Sequence, residues 1–202
     1  MLDVGDGRYP VSLTVKRQWE FARIHVVLRF IAAFVLYVVI PPLLVLLLLV
    51  GPVVTAVLAQ RAGGERFHER YHANYLKVLQ FLVSLNAYLL VVTDSFPEWG
   101  VEGPVNVEVR PTGSPTVGSA LARIFMVIPH LIVIVLLSAF AGVASILAMI
   151  MVLLDNTVPD VLWRFQAGFV TWFARALAYL YSMVEEYPPF AFEAPPEEPR
   201  RI

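Results

Sequence analysis

The segment HERYH, residues His68–His72, has residue types and a spacing that could bind a metal ion. Two imidazoles one helical turn apart can coordinate one zinc ion, and a glutamate between them, here Glu69, can act as a general base in hydrolysis. A catalytic zinc site also needs a third protein ligand and an open position. The candidates for that ligand are Asp155 and Asp160 in the segment LLDNTVPD. One hypothesis is therefore a zinc-dependent membrane peptidase.

The interpretation that we favour for the same segment is a polar first helical turn. The flanking sequences GGERF and ANY are polar, whereas a buried catalytic helix is expected to be apolar. A short motif also needs its structural context before it identifies a site. We therefore predict no cofactor, and zinc held by His68, His72 and Asp160 is the less favoured alternative.

A second candidate site is a polar stripe on two predicted helices, where the members recur at helical spacing. Arg175 lies about 15 Å from either end of its helix at a rise of 1.5 Å per residue. A guanidinium at that depth in a bilayer needs a partner or water, so the stripe could bind lipid or a ligand. The alternatives are a helix that lies in the interface and a stripe that only joins helices. The stripe consists of Lys77, Gln80, Ser84, Arg164, Gly168, Thr171, Arg175 and Ser182.

Composition indicates that these residues belong to a membrane protein. The chain is 58% hydrophobic and 15% charged, against roughly 45–50% and 25% in soluble domains. Leu43–Ala59 and Leu131–Leu154 contain no charge, and the second run exceeds the roughly 20 residues that span a bilayer. A net charge of −1 argues against a nucleic-acid partner. With no cysteine in the chain, disulfides and thiolate catalysis are excluded.

The sequence repeats itself at an offset of 91–94 residues. SLNAYLLVVTDSFPEW at 84–99 matches RALAYLYSMVEEYPPF at 175–190, and PVSLTV at 10–15 matches PVNVEV at 104–109. The short segments alternate apolar and polar residues, as strands do. We predict two units, 8–99 and 100–192, each with a strand, an interfacial helix A, a membrane helix B and a helix C. A disordered tail at 193–202 follows.

These units predict an all-α integral membrane protein, with duplicated helical hairpins forming four transmembrane helices, interfacial helices and a small two-stranded β cap. Pro41-Pro42 is predicted to separate helix A from helix B, and helix A to hold Arg29 and Arg123 at headgroup level. Two crossings per unit place both strands at one membrane face, where they can pair. Lys and Arg are more numerous at that face, which predicts that both termini are cytoplasmic. The family resemblance described below implies that this membrane is the bacterial inner membrane.

Small residues and caps predict contacts between these helices. Gly51 with Thr55, and Ser138 with Gly142, form small-xxx-small pairs that allow helix B of one unit to pack closely on helix B of the other. The caps TDSFPEW and VEEYPPF place aromatic residues around proline, as at a membrane boundary. The alternative for the caps is a docking surface for a partner.

The second unit resembles a bacterial membrane family known as domain of unknown function 4389. The resemblance rests on an Arg, an Ile-Pro-His step, a long apolar helix, and an aromatic helix that ends in Tyr-Pro-Pro-Phe. It implies a membrane location and two tandem copies of the domain, the first matching more loosely, and it implies no activity. The matching residues are Arg123, Ile128, Pro129, His130, Arg175, Ala178, Tyr179, Glu185, Tyr187, Pro188, Pro189 and Phe190.

For function we predict a non-enzymatic accessory or scaffolding subunit that contacts lipid and other membrane protein subunits. The basis is the lack of a convincing reaction centre in the sequence. The alternative is a small transporter or lipid-handling protein that uses the Arg175 stripe, since transporters often place a site between duplicated units. The zinc peptidase hypothesis at His68 and His72 is third.

Overall fold

The structure, a computed structural model, describes residues 9–101 and 103–195, with side chains at all of these except 33–47. This part of the chain is mostly helical with one two-stranded sheet, which confirms the predicted combination of helices and a small β element. The predicted tail lies outside the described residues from residue 196 onward. The elements are β1 (Val11–Val15), α1 (Ile24–Ala62), α2 (Gly64–Leu89), β2 (Val105–Val109), α3 (Val117–Met126), α4 (Ile128–Asp155) and α5 (Asp160–Leu180).

The two strands form an antiparallel pair. Val11 lies opposite Val109, and Val15 lies opposite Val105, so the predicted pairing is confirmed. The alternation of apolar and polar residues buries one face of the sheet and exposes the other. Ser12, Thr14 and Glu108 lie on the exposed face.

Helices α2 and α5 form the layer on which the sheet packs. β2 contacts α2, and β1 contacts α5. Helices α1 and α4 pack against α2 and α5 respectively, and α1 also packs on α3. Trp163, Ala167, Val170 and Ala174 of α5 are fully buried. The α2–α5 layer therefore separates the polar face of the sheet from the apolar helices α1, α3 and α4.

Helices α2 and α5 run in opposite directions. Trp163, near the start of α5, donates a hydrogen bond of 3.1 Å to the carbonyl of Val92, just after α2. The ring of Tyr75, early in α2, meets the ring of Tyr181, just after α5, at 6.1 Å between centroids. Equivalent ends of α2 and α5 therefore lie at opposite ends of this layer.

Each half contains one long helical stretch. Helix α1 is 39 residues long and continues through Pro41-Pro42, so the predicted break is wrong. Helical backbone satisfies the remaining amide groups in an apolar setting, which lets such a helix tolerate proline. Between α3 and α4 only Val127 intervenes, in an α conformation, and Val117–Asp155 is also a 39-residue stretch. The predicted helix A is therefore not a separate helix in the first half.

The outer helices expose large apolar side chains. Among the described residues, Val117–Asp155 is the one stretch long and apolar enough to span a membrane, with a mean hydropathy of 2.7 in its most apolar 18-residue window, and Leu48–Ala62 is a shorter apolar helix. Only 22% of the apolar window of the longer stretch is buried, whereas a core helix of a soluble protein would be mostly buried. Such a surface favours contact with lipid or another protein. The predicted four spans stay a prediction.

The small residues predicted to pack helix B on helix B are enclosed by other side chains in one half only. A side chain on Gly51 would clash with the ring of Tyr181, and the hydroxyl of Thr55 lies 2.8 Å from that of Tyr75. Ser138 and Gly142 are exposed, and a Cβ on Gly142 would meet nothing within 4 Å. The prediction of B-on-B packing is therefore wrong for these two residues, since α1 packs closely on α3 rather than on α4.

Candidate functional site

Arg29, near the start of α1, holds the end of α2. Its guanidinium donates to the carbonyls of Tyr88 and Thr93, both at 2.7 Å, and forms an ion pair with Asp94 at 2.8 Å. The guanidinium also lies 4.7 Å from the centroid of the Tyr88 ring. Only 2% of Arg29 is exposed. It satisfies carbonyl groups that the end of a helix leaves without intrahelical partners.

Arg123, on α3, holds the end of α5 in the same way. Its guanidinium donates to the carbonyls of Tyr179 at 2.7 Å and Val184 at 2.5 Å, and it lies 4.5 Å from the centroid of the Tyr179 ring. Arg123 is buried, like Arg29. The carbonyls at the ends of α2 and α5 hold both arginines inside the protein, and their placement at headgroup level stays a prediction.

The turns that end α2 and α5 have the same geometry. Val91 and Ser182, at the offset of 91 residues, both adopt a left-handed conformation with φ of 59° and 55°. The amide of the next residue then bonds to a carbonyl five residues earlier, as in a Schellman cap. These bonds are Val92 to Ala87 at 2.9 Å and Met183 to Ala178 at 3.0 Å.

A polar side chain from before each long helix completes each cap. The amide of Asp94 donates to the side-chain oxygen of Gln18 at 2.9 Å, and the amide of Glu185 donates to the hydroxyl of Thr112 at 2.8 Å. Sequence reasoning missed Gln18 and Thr112. The signal that could have found them is their separation of 94 residues. Their residue types gave no signal, because glutamine and threonine share no obvious similarity.

The segment 181–192 after α5, which we call the latch, is fastened to α3 and α4 by aromatic residues. His130 stacks on Phe190 with ring centroids 4.2 Å apart and accepts a hydrogen bond of 3.0 Å from the indole of Trp172. Tyr187 donates to the carbonyl of Met126 at 3.0 Å.

The residues behind the family resemblance lie around this latch. Arg123, His130, Tyr179, Tyr187 and Phe190 form the contacts described above, and Pro129 lies in the first turn of α4. Pro188 and Pro189 lie within the latch. Glu185 lies against the backbone of Gly113. The contacts of these residues attach the chain after α5 to the rest of the fold.

Arg175 of the predicted stripe is covered by other side chains. Arg175 is 12% exposed and forms an ion pair of 3.1 Å with Glu193. Its guanidinium lies 5.7 Å from the centroid of the Tyr9 ring. Burial raises the pKa of the Tyr9 phenol, so Tyr9 remains a donor, and it bonds to the carbonyl of Glu186 at 3.2 Å.

The other stripe residues face different surroundings. Gln80 binds the outer edge of β2, donating to the carbonyl of Val105 at 2.5 Å and accepting from the amide of Val107 at 2.8 Å. Thr171 bonds to a carbonyl of its own helix, that of Ala167. Lys77 is exposed. Arg164, also exposed, pairs with Asp160 at 3.0 Å. The stripe residues Lys77, Gln80, Arg164, Thr171 and Arg175 therefore do not form one continuous site.

The predicted zinc ligands lie in two separate places. His68 lies 3.2 Å from the carbonyl of Thr112, close to the end of α5, and its ring centroid is 6.4 Å from that of His72. Asp160, at the start of α5, forms an ion pair of 3.1 Å with Arg17. Asp155 ends α4, at the same end of the molecule as Asp160.

The reversal of the two halves explains this separation, because it places equivalent positions at opposite ends of α5. Among the described residues, no three His, Asp or Glu side chains lie close enough to hold a metal ion. Burial lowers the pKa of His68 and His72. The exposed Glu69 therefore has no assembled metal centre beside it in this part of the chain.

A cavity of 130 Å³ borders the last turns of α2 and the start of β2. Ser84 and Gln80 of the predicted stripe line it, together with Thr93, Glu98 and Gly103. Sequence reasoning did not identify this cavity. It opens next to a wider surface depression that includes Lys16 and Asp94.

Residues 118–191 match a family described as a domain of unknown function (DUF4389). The match runs from α3 to the latch and supports the resemblance for the second predicted unit. It covers less than half of the chain as a single copy, so two tandem copies are not established by it. No curated protein and no solved structure matches the chain significantly.

Proposed function

We propose that this protein is a non-enzymatic scaffolding or accessory subunit of the bacterial inner membrane, seated in lipid through α1 and the Val117–Asp155 stretch. The observation that carries the proposal is the separation of two surfaces by the α2–α5 layer. On one side, α4 exposes large apolar residues such as Val135 and Phe140, which are 65% and 66% exposed. On the other side lies the polar face of the sheet.

The distribution of buried charge supports a structural rather than a catalytic role. Arg29 and Arg123 bind carbonyls at helix ends, and Arg175 binds the carboxylate of Glu193. A catalytic centre needs a nucleophile, base or metal held beside a site for substrate. These buried cations instead stabilise turns and a terminal segment.

The proposed orientation places the outer helices along the membrane and the sheet in water. A 39-residue helix is about 58 Å long, which exceeds a hydrocarbon core of about 30 Å. Four crossings would also carry Ser12, Thr14 and Glu108 into hydrocarbon, where polar groups without partners are costly. We therefore propose that the outer layer inserts sideways and that a partner subunit binds on the side of the sheet.

We infer that the chain contains two units, 8–99 and 100–192, built on one plan. Arg29 with Arg123, 94 residues apart, and Val91 with Ser182, 91 residues apart, support this, because the two members of each pair have matching contacts or backbone conformation. The two 39-residue helical stretches and the two helices that follow them give the same order of elements in both units.

Single cysteines test the orientation, because the natural chain contains none. Arg23 and Arg61, which lie near the two ends of α1 and are both exposed, would each be changed to cysteine. In sealed inner-membrane vesicles, a membrane-impermeant maleimide should label both positions from the same side, together with Ser12→Cys. Labelling of Arg23→Cys and Arg61→Cys from opposite sides would exclude the proposed orientation and favour the predicted multi-pass arrangement.

Native mass spectrometry tests the scaffolding role. The protein would be extracted from its own host in mild detergent and compared with a variant in which Ser12 and Thr14 are changed to lysine. We expect the natural chain to be recovered in a larger assembly and the variant to lose the partner while keeping its fold. A chain recovered alone, with an activity of its own, would contradict the proposal.

A second candidate function is transport or handling of lipid. The opposite directions of α2 and α5 favour it, since inverted repeats are common in secondary transporters. In that case Arg175→Leu should abolish substrate movement in proteoliposomes, whereas Lys77→Leu on the exposed face of α2 should preserve it. If Arg175→Leu and Lys77→Leu have the same effect on substrate movement, the scaffolding role is the better proposal.

A further inference from the structure

The cavity beside α2 is large enough for a small organic ion. Its volume of 130 Å³ is several times the minimum that holds one water molecule. Among the described residues that line it, Glu98 is the one with a charged side chain, and Ser84, Thr93 and Ser95 contribute hydroxyl groups. Carboxylate and hydroxyl oxygens accept hydrogen bonds, so the lining suits a cation that donates several.

The equivalent place in the second half of the fold holds a guanidinium. At the offset of 91 residues, Ser84 corresponds to Arg175, and at the offset of 94 residues, Gly103 corresponds to Tyr9. In the second half, Arg175 lies beside the Tyr9 ring and pairs with Glu193. Two small residues at this cavity, one from each proposed unit, therefore correspond to two large side chains at the equivalent place beside α5. This comparison rests on the two-unit organisation proposed above.

Aromatic residues surround the cavity and its opening. Phe81 and Phe96 line it, and the ring of Phe81 lies 5.6 Å from that of Trp99. Phe96 and Trp99 are 58% and 61% exposed. Aromatic faces attract organic cations, and the exposed rings can also contact the hydrocarbon part of a ligand. The arrangement combines acceptors inside the cavity with apolar contacts at its edge.

We propose that this cavity binds the ammonium or guanidinium group of an organic cation, in the place that the Arg175 side chain fills in the other half. Glu98 supplies the charge, and the hydroxyl groups accept hydrogen bonds from the cation. The cation can come from a lipid headgroup that carries a primary amine or from a free alkylamine or alkylguanidine.

Calorimetric titration of the full chain in detergent tests the proposal with ethylguanidinium as the probe and ethylurea as its uncharged analogue. We expect saturable binding of ethylguanidinium and none of ethylurea. Ser84→Arg, which reproduces the residue of the second half, should weaken binding at least about tenfold. Lys77→Arg is the matched control, because it places a guanidinium on the exposed face of the same helix and should leave binding unchanged.

A second variant keeps the test decisive if Ser84→Arg does not fold. Glu98→Gln has nearly the same shape and should also weaken binding of ethylguanidinium, because it removes the charge. Equal binding of ethylurea and ethylguanidinium, or unchanged binding in both variants, would overturn the proposal. The titration uses the isolated chain, so its result does not depend on the membrane orientation or on any partner.

The source of the cation is distinguished in nanodiscs. Discs that contain phosphatidylethanolamine should suppress binding of ethylguanidinium, relative to discs of phosphatidylglycerol, if the headgroup amine occupies the cavity. Equal binding in the two discs would identify a free cation as the ligand. No binding in either disc would overturn the proposal.

Discussion

Arg29 and Arg123 lie 94 residues apart in the chain and form the same contacts, each donating to two carbonyls at the end of a helix. Each is also stacked on the tyrosine whose carbonyl it binds. The two residues fix the ends of α2 and α5 at opposite ends of the molecule. The stability of both halves should therefore depend on these arginines.

Arg29→Met should lower the free energy of unfolding by roughly 3–5 kcal/mol, because it leaves Asp94 and two carbonyls without their buried partner. Arg123→Met should cost roughly 1–3 kcal/mol for each carbonyl that it leaves unsatisfied. Denaturant titration in detergent measures both effects. Arg66→Met, at an exposed position, is the control and should change little. Equal stability of all three variants would contradict the role assigned to the two arginines.

Gly51→Ala should be destabilising, because the new methyl group meets the ring of Tyr181. Overpacking of this kind costs typically about 1–3 kcal/mol. Gly142→Ala is the matched control in α4, where nothing lies close, and it should stabilise the helix by up to about 1 kcal/mol. Thermal unfolding of the two variants in the same detergent checks the opposite signs, and a shift of the same sign in both would contradict the predicted contact.

Phe190→Ala should release the latch, because it removes the stacking partner of His130. An aromatic pair contributes about 0.5–1.5 kcal/mol beyond the area that it buries, so local opening should increase roughly 2- to 12-fold at 25 °C. Hydrogen exchange of amides 183–192 measures this opening. Phe125→Ala, at an exposed position on α3, should leave exchange in the latch unchanged.

Acid should destabilise the end of the molecule that contains His68 and His72. Burial lowers the pKa of both imidazoles below the usual value of 6.5, so the unfolded chain binds protons first as the pH falls. The stabilisation that the two neutral imidazoles contribute is therefore complete above about pH 6.5, and it is lost as the pH falls below that value. The double variant with His68→Gln and His72→Gln should flatten the stability profile below about pH 6.5. An unchanged slope would contradict the assignment.

The two strands could be predicted from sequence because the alternation of apolar and polar residues is a local signal. The direction of the halves could not, since Arg29 and Arg123 match equally well whether the hairpins are parallel or antiparallel. For the same reason, the sequence predicts Asp160 close to His68, whereas the two residues lie near opposite ends of α5. The burial of the two arginines was also hidden, because their partners are backbone carbonyls, which every residue has.

The strand pairing has a consequence for the assembly of the fold. β2, which begins the proposed second unit, packs on α2 of the proposed first unit, and β1 packs on α5. In the two-unit organisation that we propose, each unit completes its core with a strand from the other, as in a domain swap within one chain. A protein with a single such unit would then need a second copy of itself to supply the missing strand, which is the relation between the subunits of a strand-swapped homodimer.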